Sequence, residues 1–242
     1  MDALVDALAA AGSVFVLTGA GISAESGLPT FRGAGGYWES HRAEDLASPE
    51  GFERDPALVW RWYNMRIRVY ANAKPNAGHL ALAQLETLVP AFALATQNVD
   101  SLHAAAGSKN VLELHGHLRE ARCTRCGATV ALSSGLPENR IEHGCGGRFR
   151  PQVVWFGEAL PADVWERAAG AAQAADVILV VGTSANVYPA AALAMQNERA
   201  FVAEINPDRT GLSARCDAVV RESAAAALPH IVQQLASRGL PR

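Results

Sequence analysis

The apolar run SVFVL (13–17) passes straight into TGAGISAESG (18–27), and no other feature restricts the fold as tightly. A short run without polar alternation reads as a strand buried on both faces, the habit of parallel sheets. Gly19, Gly21 and Ala24 match the spacing G-x-G-x-x-G/A where such a strand turns into a helix. Glycines there permit a tight turn and let backbone N–H groups approach a pyrophosphate at the helix N-terminus. The alternative is a purely structural strand–helix turn. No acidic residue follows at the usual distance on a second strand, which weakens a dehydrogenase reading.

The rest of the chain repeats the alternation. A short helix is expected at 2–11, a clean helix at 77–88 and a strand at 92–96. An alanine-rich helix (161–175) leads into DVILVVGTS, a second buried strand ending in a glycine turn. A helix near 188–198, the strand AFVAEIN (200–206), DAVVRES and a final helix at 226–238 follow. Strands alternating with helices imply an α/β fold, a Rossmann-like parallel sheet with helices on both faces. Two stretches break the pattern. Residues 31–75 are aromatic, Arg-rich and acidic and suit two helices separated by loops. Residues 117–150 turn to Cys, Arg, Gly and Ser, with QVVWF (152–156) as the return to the main body. The expected division is a main lobe of 1–30, 76–116 and 151–242, with a small lobe of 31–75 and 117–150.

Composition narrows the partners. At 50% hydrophobic, 19% charged and net −3, the chain has an ordinary globular profile without the basic excess of a nucleic-acid binder. Its first residues carry Asp2 and Asp6 where a signal peptide would be positive, and no apolar run is long enough to span a bilayer. A cytoplasmic, monomeric protein is the expectation.

Several polar groups fall where α/β sheets bind ligands. SGLPTFRG (26–33) offers an aromatic and a cation beside the glycine turn. ATQNVDSLH (95–103) puts Gln97, Asn98 and Asp100 just past a strand, and LELHGH (112–117) adds His115 at another strand end. A lone His is most often structural; beside a nucleotide turn it becomes a candidate base. The stretch WRWYNMRIRVY (60–70) reads as an amphipathic helix with Arg61, Asn64 and Arg68 on its wet arc. Arg66 instead falls in the apolar arc, where a buried charge demands an anion, from the protein (Glu44 or Asp45) or from a ligand.

Together these residues resemble the sirtuins, NAD-dependent protein-lysine deacylases. The resemblance rests on GAGISAESGLPTFRG, TQNVDSLH, HG, CTRC, VVWFGE, VGTSANVYPA and EINP in that order. It implies an acyl-lysine protein or peptide as substrate, NAD as co-substrate, release of nicotinamide and transfer of the acyl group to ADP-ribose. His115 would be the general base, with Asn98 and Asp100 ordering the nicotinamide ribose and carboxamide. The implied NAD site comprises Gly19, Ala20, Gly21, Ser23, Glu25, Thr30, Phe31, Arg32, Trp38, Gln97, Asn98, Val99 and Asp100. Gly182, Thr183, Ser184, Asn206, Pro207, Asp208 and Ala224 complete it. Val154, Trp155, Phe156, Gly157 and Glu158 would supply a strand edge for an extended peptide. Tyr63 and Arg66 form a Y-x-x-R pair similar to that of sirtuins acting on succinyl and malonyl groups. The resemblance also leaves two rivals: a protein ADP-ribosyltransferase using the same NAD site, and a non-catalytic NAD- or acyl-lysine-binding module.

The cysteines depart from the family pattern. Cys123 and Cys126 form one C-x₂-C, and eighteen residues separate Cys126 from Cys145; the third ligand of a structural zinc site would fall at 142, which is Glu142. Glu142 and His143 are both acceptable zinc ligands, and a small lobe without stable metal is the remaining alternative. His143 is the better replacement because imidazole competes well for zinc. Cys216 stands alone and reads as a packing residue.

Overall fold

A computed structural model describes residues 1–30 and 42–238. Its larger sheet has six parallel strands in the order β3-β2-β1-β7-β8-β9. These are β1 (Ser13–Thr18), β2 (Ala91–Thr96), β3 (Val111–Glu113), β7 (Val177–Val181), β8 (Phe201–Ile205) and β9 (Ala218–Val220). β1 is central because its run has apolar side chains for both faces. Val14 and Val16 pack with helices α1 (Asp2–Ala10), α5 (Ala77–Leu88) and α8 (Ala224–Ser237). Phe15 and Leu17 face the opposite layer, with Ala168 and Ala172 of α7 (Ala162–Ala174). Both faces are thus dry, as the sequence pattern requires.

A second sheet, β5-β4-β6, is built from β4 (Gly116–Cys123), β5 (Thr129–Ala131) and β6 (Phe149–Val153), with antiparallel pairing. QVVWF is therefore not the return to the main body: its first two residues end β6, where Val153 pairs with Gly116. Beyond Val153 the chain is a loop rather than the expected strand edge. The Val154 and Phe156 N–H groups already donate to the carbonyls of His115 and Ala47, both at 2.9 Å. Gly157 then turns the backbone at φ +85°.

The helical insertion holds α2 (Ala43–Leu46), α3 (Pro49–Arg54) and α4 (Pro56–Asn72) among the described residues, one more than expected. Two prolines explain the extra break. Each sits at the first helical position, behind an N-cap whose oxygen accepts a backbone N–H: Ser48 from Gly51 at 2.9 Å, Asp55 from Leu58 at 2.8 Å. α4 buries Trp60, Trp62 and Tyr63 against the small sheet, and Trp60 Nε1 donates to the Phe149 carbonyl at 2.8 Å. Asn64 is not a surface residue as its arc suggested. Its amide accepts from the Leu136 N–H at 2.8 Å and donates to the Leu136 carbonyl at 2.7 Å, tying helix to module.

Two expected helices are tighter turns. Residues Ala20–Ser26 and Ala190–Met195 form 3-10 helices. The first is stopped by Gly27 at φ +80°.

Candidate functional site

The carboxyl ends of β1, β2, β7 and β8 face the small lobe across a cavity of about 760 Å³. Its floor requires glycine. The Gly21 N–H donates to the Gly182 carbonyl at 2.7 Å, and a Cβ on Gly182 would lie 2.4 Å from the Ile22 nitrogen. The turns after β1 and β7 therefore interlock with no room for a methyl group, and both backbones line the cavity.

Most of the residues expected at the site line this cavity. Gly19, Ala20, Gly21, Glu25 and Thr30 come from the first turn, and Gln97, Asn98, Val99 and His115 from the ends of β2 and β3. Gly182, Thr183 and Ser184 follow β7, Asn206, Pro207 and Asp208 follow β8, and Ala224 opens α8. Tyr63, Arg66 and Val154, Trp155, Phe156, Gly157 and Glu158 close the other side. Ser23 and Asp100 sit behind this wall. The Ser23 hydroxyl donates to Asp100 Oδ2 at 2.8 Å and accepts from the Asn98 amide at 3.2 Å. Phe31, Arg32 and Trp38 lie outside the described residues, as does the side chain of Glu44.

His115 is oriented by its own hydrogen bond. Its Nδ1 is 3.0 Å from the Gln97 carbonyl oxygen, which can only accept, so Nδ1 carries the proton. The lone pair is left on Nε2, and burial lowers the pKa of the ring from its ordinary value. The imidazole is thus a neutral, oriented base at neutral pH.

Beneath the wall lies a buried polar string that sequence reasoning missed. Thr18 donates its hydroxyl proton to Thr96 at 2.8 Å and so accepts from His103 Nε2 at 2.9 Å. His79 stacks against His103 with ring centroids 4.9 Å apart. Its Nδ1 accepts from the Asn76 N–H, completing a capping box on α5, and its Nε2 lies 3.4 Å from the Ser23 hydroxyl. Burial lowers the pKa of His79 to about 4 and of His103 to about 3. The missed wall residues include Trp62, Asn186, Tyr188, Arg209 and Thr210, which spacing alone does not distinguish from ordinary helix and loop residues.

Arg66 is 3% exposed and Tyr63 2%, as the helical arc predicted. The Tyr63 hydroxyl accepts from Trp155 Nε1 at 2.9 Å, and burial raises its pKa to about 12. Of the two carboxylates weighed as internal partners, Asp45 is ion-paired with Arg54. On the small-lobe side of the cleft, Arg150 grips both Glu158 oxygens, at 2.5 and 2.8 Å, and lies 3.5 Å over the Trp155 ring. That bidentate pair holds the loop after β6 against the small sheet.

In the small module, Cys123, Cys126, His143 and Cys145 bring one donor atom each to within 4.8 Å of all the others. Three of the six edges are 3.5 Å (Cys123–Cys145), 3.4 Å (Cys126–His143 Nδ1) and 3.1 Å (His143 Nδ1–Cys145). Ligands at about 2.0–2.3 Å from a tetrahedral zinc lie roughly 3.3–3.8 Å apart; two of these edges fall in that range and the third is slightly shorter, and the Cys3His donor set suits a closed structural zinc site. His143 takes the corner left by the missing cysteine. Glu142 instead accepts from Arg148 Nε at 2.9 Å. Cys216 is remote from the set.

The fold and site together define a Rossmann-like α/β protein with a cleft between its sheet and a metal-type second lobe. Residues 19–189 match the Sir2 family, and the chain belongs to that family. It is 47% identical over 238 residues to NAD-dependent protein deacylase 2 of Pyrobaculum aerophilum, covering 97% of this chain and 96% of the relative. Among solved structures, a Sir2 homolog–NAD complex superposes with a TM-score of 0.93 at 44% identity, covering 98% of this chain and 94% of the other. A Sir2–p53 peptide–NAD complex gives a TM-score of 0.86 at 30% identity, covering 97% and 98%.

Proposed function

We propose that the protein is an NAD-dependent protein-lysine deacylase, acting on acetyl-lysine and on acidic acyl-lysines such as succinyl and malonyl. The observation that carries the deacylase reading is His115: a neutral imidazole, its Nδ1–H spent on Gln97, with Nε2 available in a cleft of nucleotide-binding form. NAD takes the Gly19–Gly21 turn and Thr183–Ser184 for its phosphates, and Asn206, Pro207, Asp208 and Ala224 for its adenosine end. Its nicotinamide ribose rests by Gln97, Asn98 and His115, with Ser23 and Asp100 holding Asn98 in place. The acyl oxygen of the modified lysine attacks C1′ of that ribose and nicotinamide leaves. His115 Nε2 then removes a proton from a ribose hydroxyl, whose oxygen attacks the acyl carbon; water adds, the lysine amine leaves, and the acyl group ends on ADP-ribose. Cys123, Cys126, His143 and Cys145 would hold a zinc ion that braces the small module and takes no part in the chemistry.

The acidic-acyl reading is supported by a guanidinium and a phenol on one buried helix face of the cleft. A carboxylate that reaches Arg66 gains charge-assisted hydrogen bonds in a site of low dielectric. Tyr63, with its pKa near 12, stays protonated at working pH and serves as a donor. The test compares succinyl- and acetyl-lysine peptides, read as nicotinamide release, for the wild type and Arg66→Met. We expect kcat/KM on the succinyl peptide to fall about 100-fold relative to acetyl, the scale of losing a hydrogen-bonded charge partner. Equal loss on both peptides would make Arg66 a structural residue.

A further inference from the structure

Tyr70 follows Arg66 by four residues, one turn along α4. Its hydroxyl oxygen accepts from Arg66 Nε at 3.1 Å and from Nη2 at 2.5 Å. A guanidinium offers a carboxylate two paired edges, one made by Nε with Nη2 and one by the two Nη atoms. The Tyr70 oxygen sits on the first. Around the same group, the rings of Trp62, Tyr63 and Tyr70 lie 4.6, 5.4 and 5.2 Å from the guanidinium carbon. These three rings and the Tyr70 hydroxyl help to fix the plane and the rotation of the Arg66 head.

We propose that Tyr70 is a positioning residue that sets how Arg66 meets an acyl carboxylate, an inference that rests on the carboxylate reading of Tyr63 and Arg66 above. With the Nε edge taken, the carboxylate is met end-on by the Nη atoms, with Tyr63 as the neighbouring donor. Without the Tyr70 oxygen the Nε edge opens to the ligand and the guanidinium turns more freely. Recognition then loses its single geometry, and acidic acyl chains of different length are received more alike.

The test is Tyr70→Phe, which keeps the ring and removes only the oxygen, measured beside Arg66→Met on acetyl-, malonyl- and succinyl-lysine peptides. We expect Tyr70→Phe to lower the succinyl-to-acetyl ratio of kcat/KM about tenfold, through KM for the succinyl peptide rather than kcat, and to compress the difference between malonyl and succinyl. A ratio that falls in Arg66→Met but not in Tyr70→Phe overturns the role of Tyr70 and leaves the carboxylate reading intact. A ratio unmoved in both variants overturns the two together. A parallel loss on all three peptides in Tyr70→Phe makes the hydroxyl a matter of helix stability and overturns the proposal.

Discussion

At position 115 a single hydrogen bond decides what the side chain can do. The Gln97 carbonyl fixes the proton on Nδ1, and burial keeps the ring neutral below the ordinary histidine pKa of 6.5. A base whose pKa is lowered works wherever it is unprotonated, so turnover should hold through neutral pH and fall only as the medium becomes more acidic than that ordinary value. A pH profile of kcat/KM checks this, and an acidic limb centred above pH 6.5 would contradict the geometry. His115→Ala should lose about 10²–10⁴ in kcat while ADP-ribose still binds, measurable by calorimetry. The position of His115 was legible because a His beside a glycine at a strand end stands out. Its tautomer was not, because the partner carbonyl belongs to Gln97, in the loop after β2 and eighteen residues away. Arg66 was likewise legible from helical phase, whereas the hydroxyl of Tyr70 gave no sign in the sequence that it would meet Arg66.

Elements announced themselves in proportion to their periodicity. The buried strands and the long helices α5, α7 and α8 are readable because burial imposes its repeat on many residues at once. The tight turns after Gly19 and before Gln196 are not readable, since a 3-10 turn and an α-helical turn share the same short apolar spacing. β6 escaped too, because its pairing with β4 depends on residues some thirty positions away. The segment following β8 shows how elements build the site. Arg221 donates to the carbonyls of Asn206 and Asp208, at 3.1 and 2.7 Å, to Ser213 at 2.7 Å, and to the buried Glu204 at 2.9 Å. It pins the loop of the cleft proposed above to take the adenosine end of NAD. Arg221→Met should raise KM for NAD about tenfold, as expected for losing charged hydrogen bonds, with kcat for the bound complex retained. Steady-state titration with NAD separates the two; a fall in kcat alone would place the role of Arg221 elsewhere.

For the molecule as a whole, the buried pair His79 and His103 links the cleft floor to acid stability. Both are held neutral by burial, at about 4 and about 3 against 6.5 for an unperturbed histidine. Above pH 6.5 folded and unfolded chains agree in charge at these sites and no difference arises. Below it the unfolded chain binds protons that the fold excludes, so stability is lost as pH falls from about 6.5 toward 4. Thermal unfolding midpoints should drop over that interval, and His103→Gln should flatten the slope; an unchanged slope would trace acid sensitivity to other groups. The sheet order carries a separate consequence, for the growing chain. β1 is the seed of the cleft, yet one of its two neighbours, β7, begins at Val177. Until that strand has left the ribosome, β1 can pair with β2 alone and the turn at Gly21 has nothing to lock against. More than half of synthesis passes with one side of the central strand open, so the nascent chain depends on shelter from aggregation until β7 arrives.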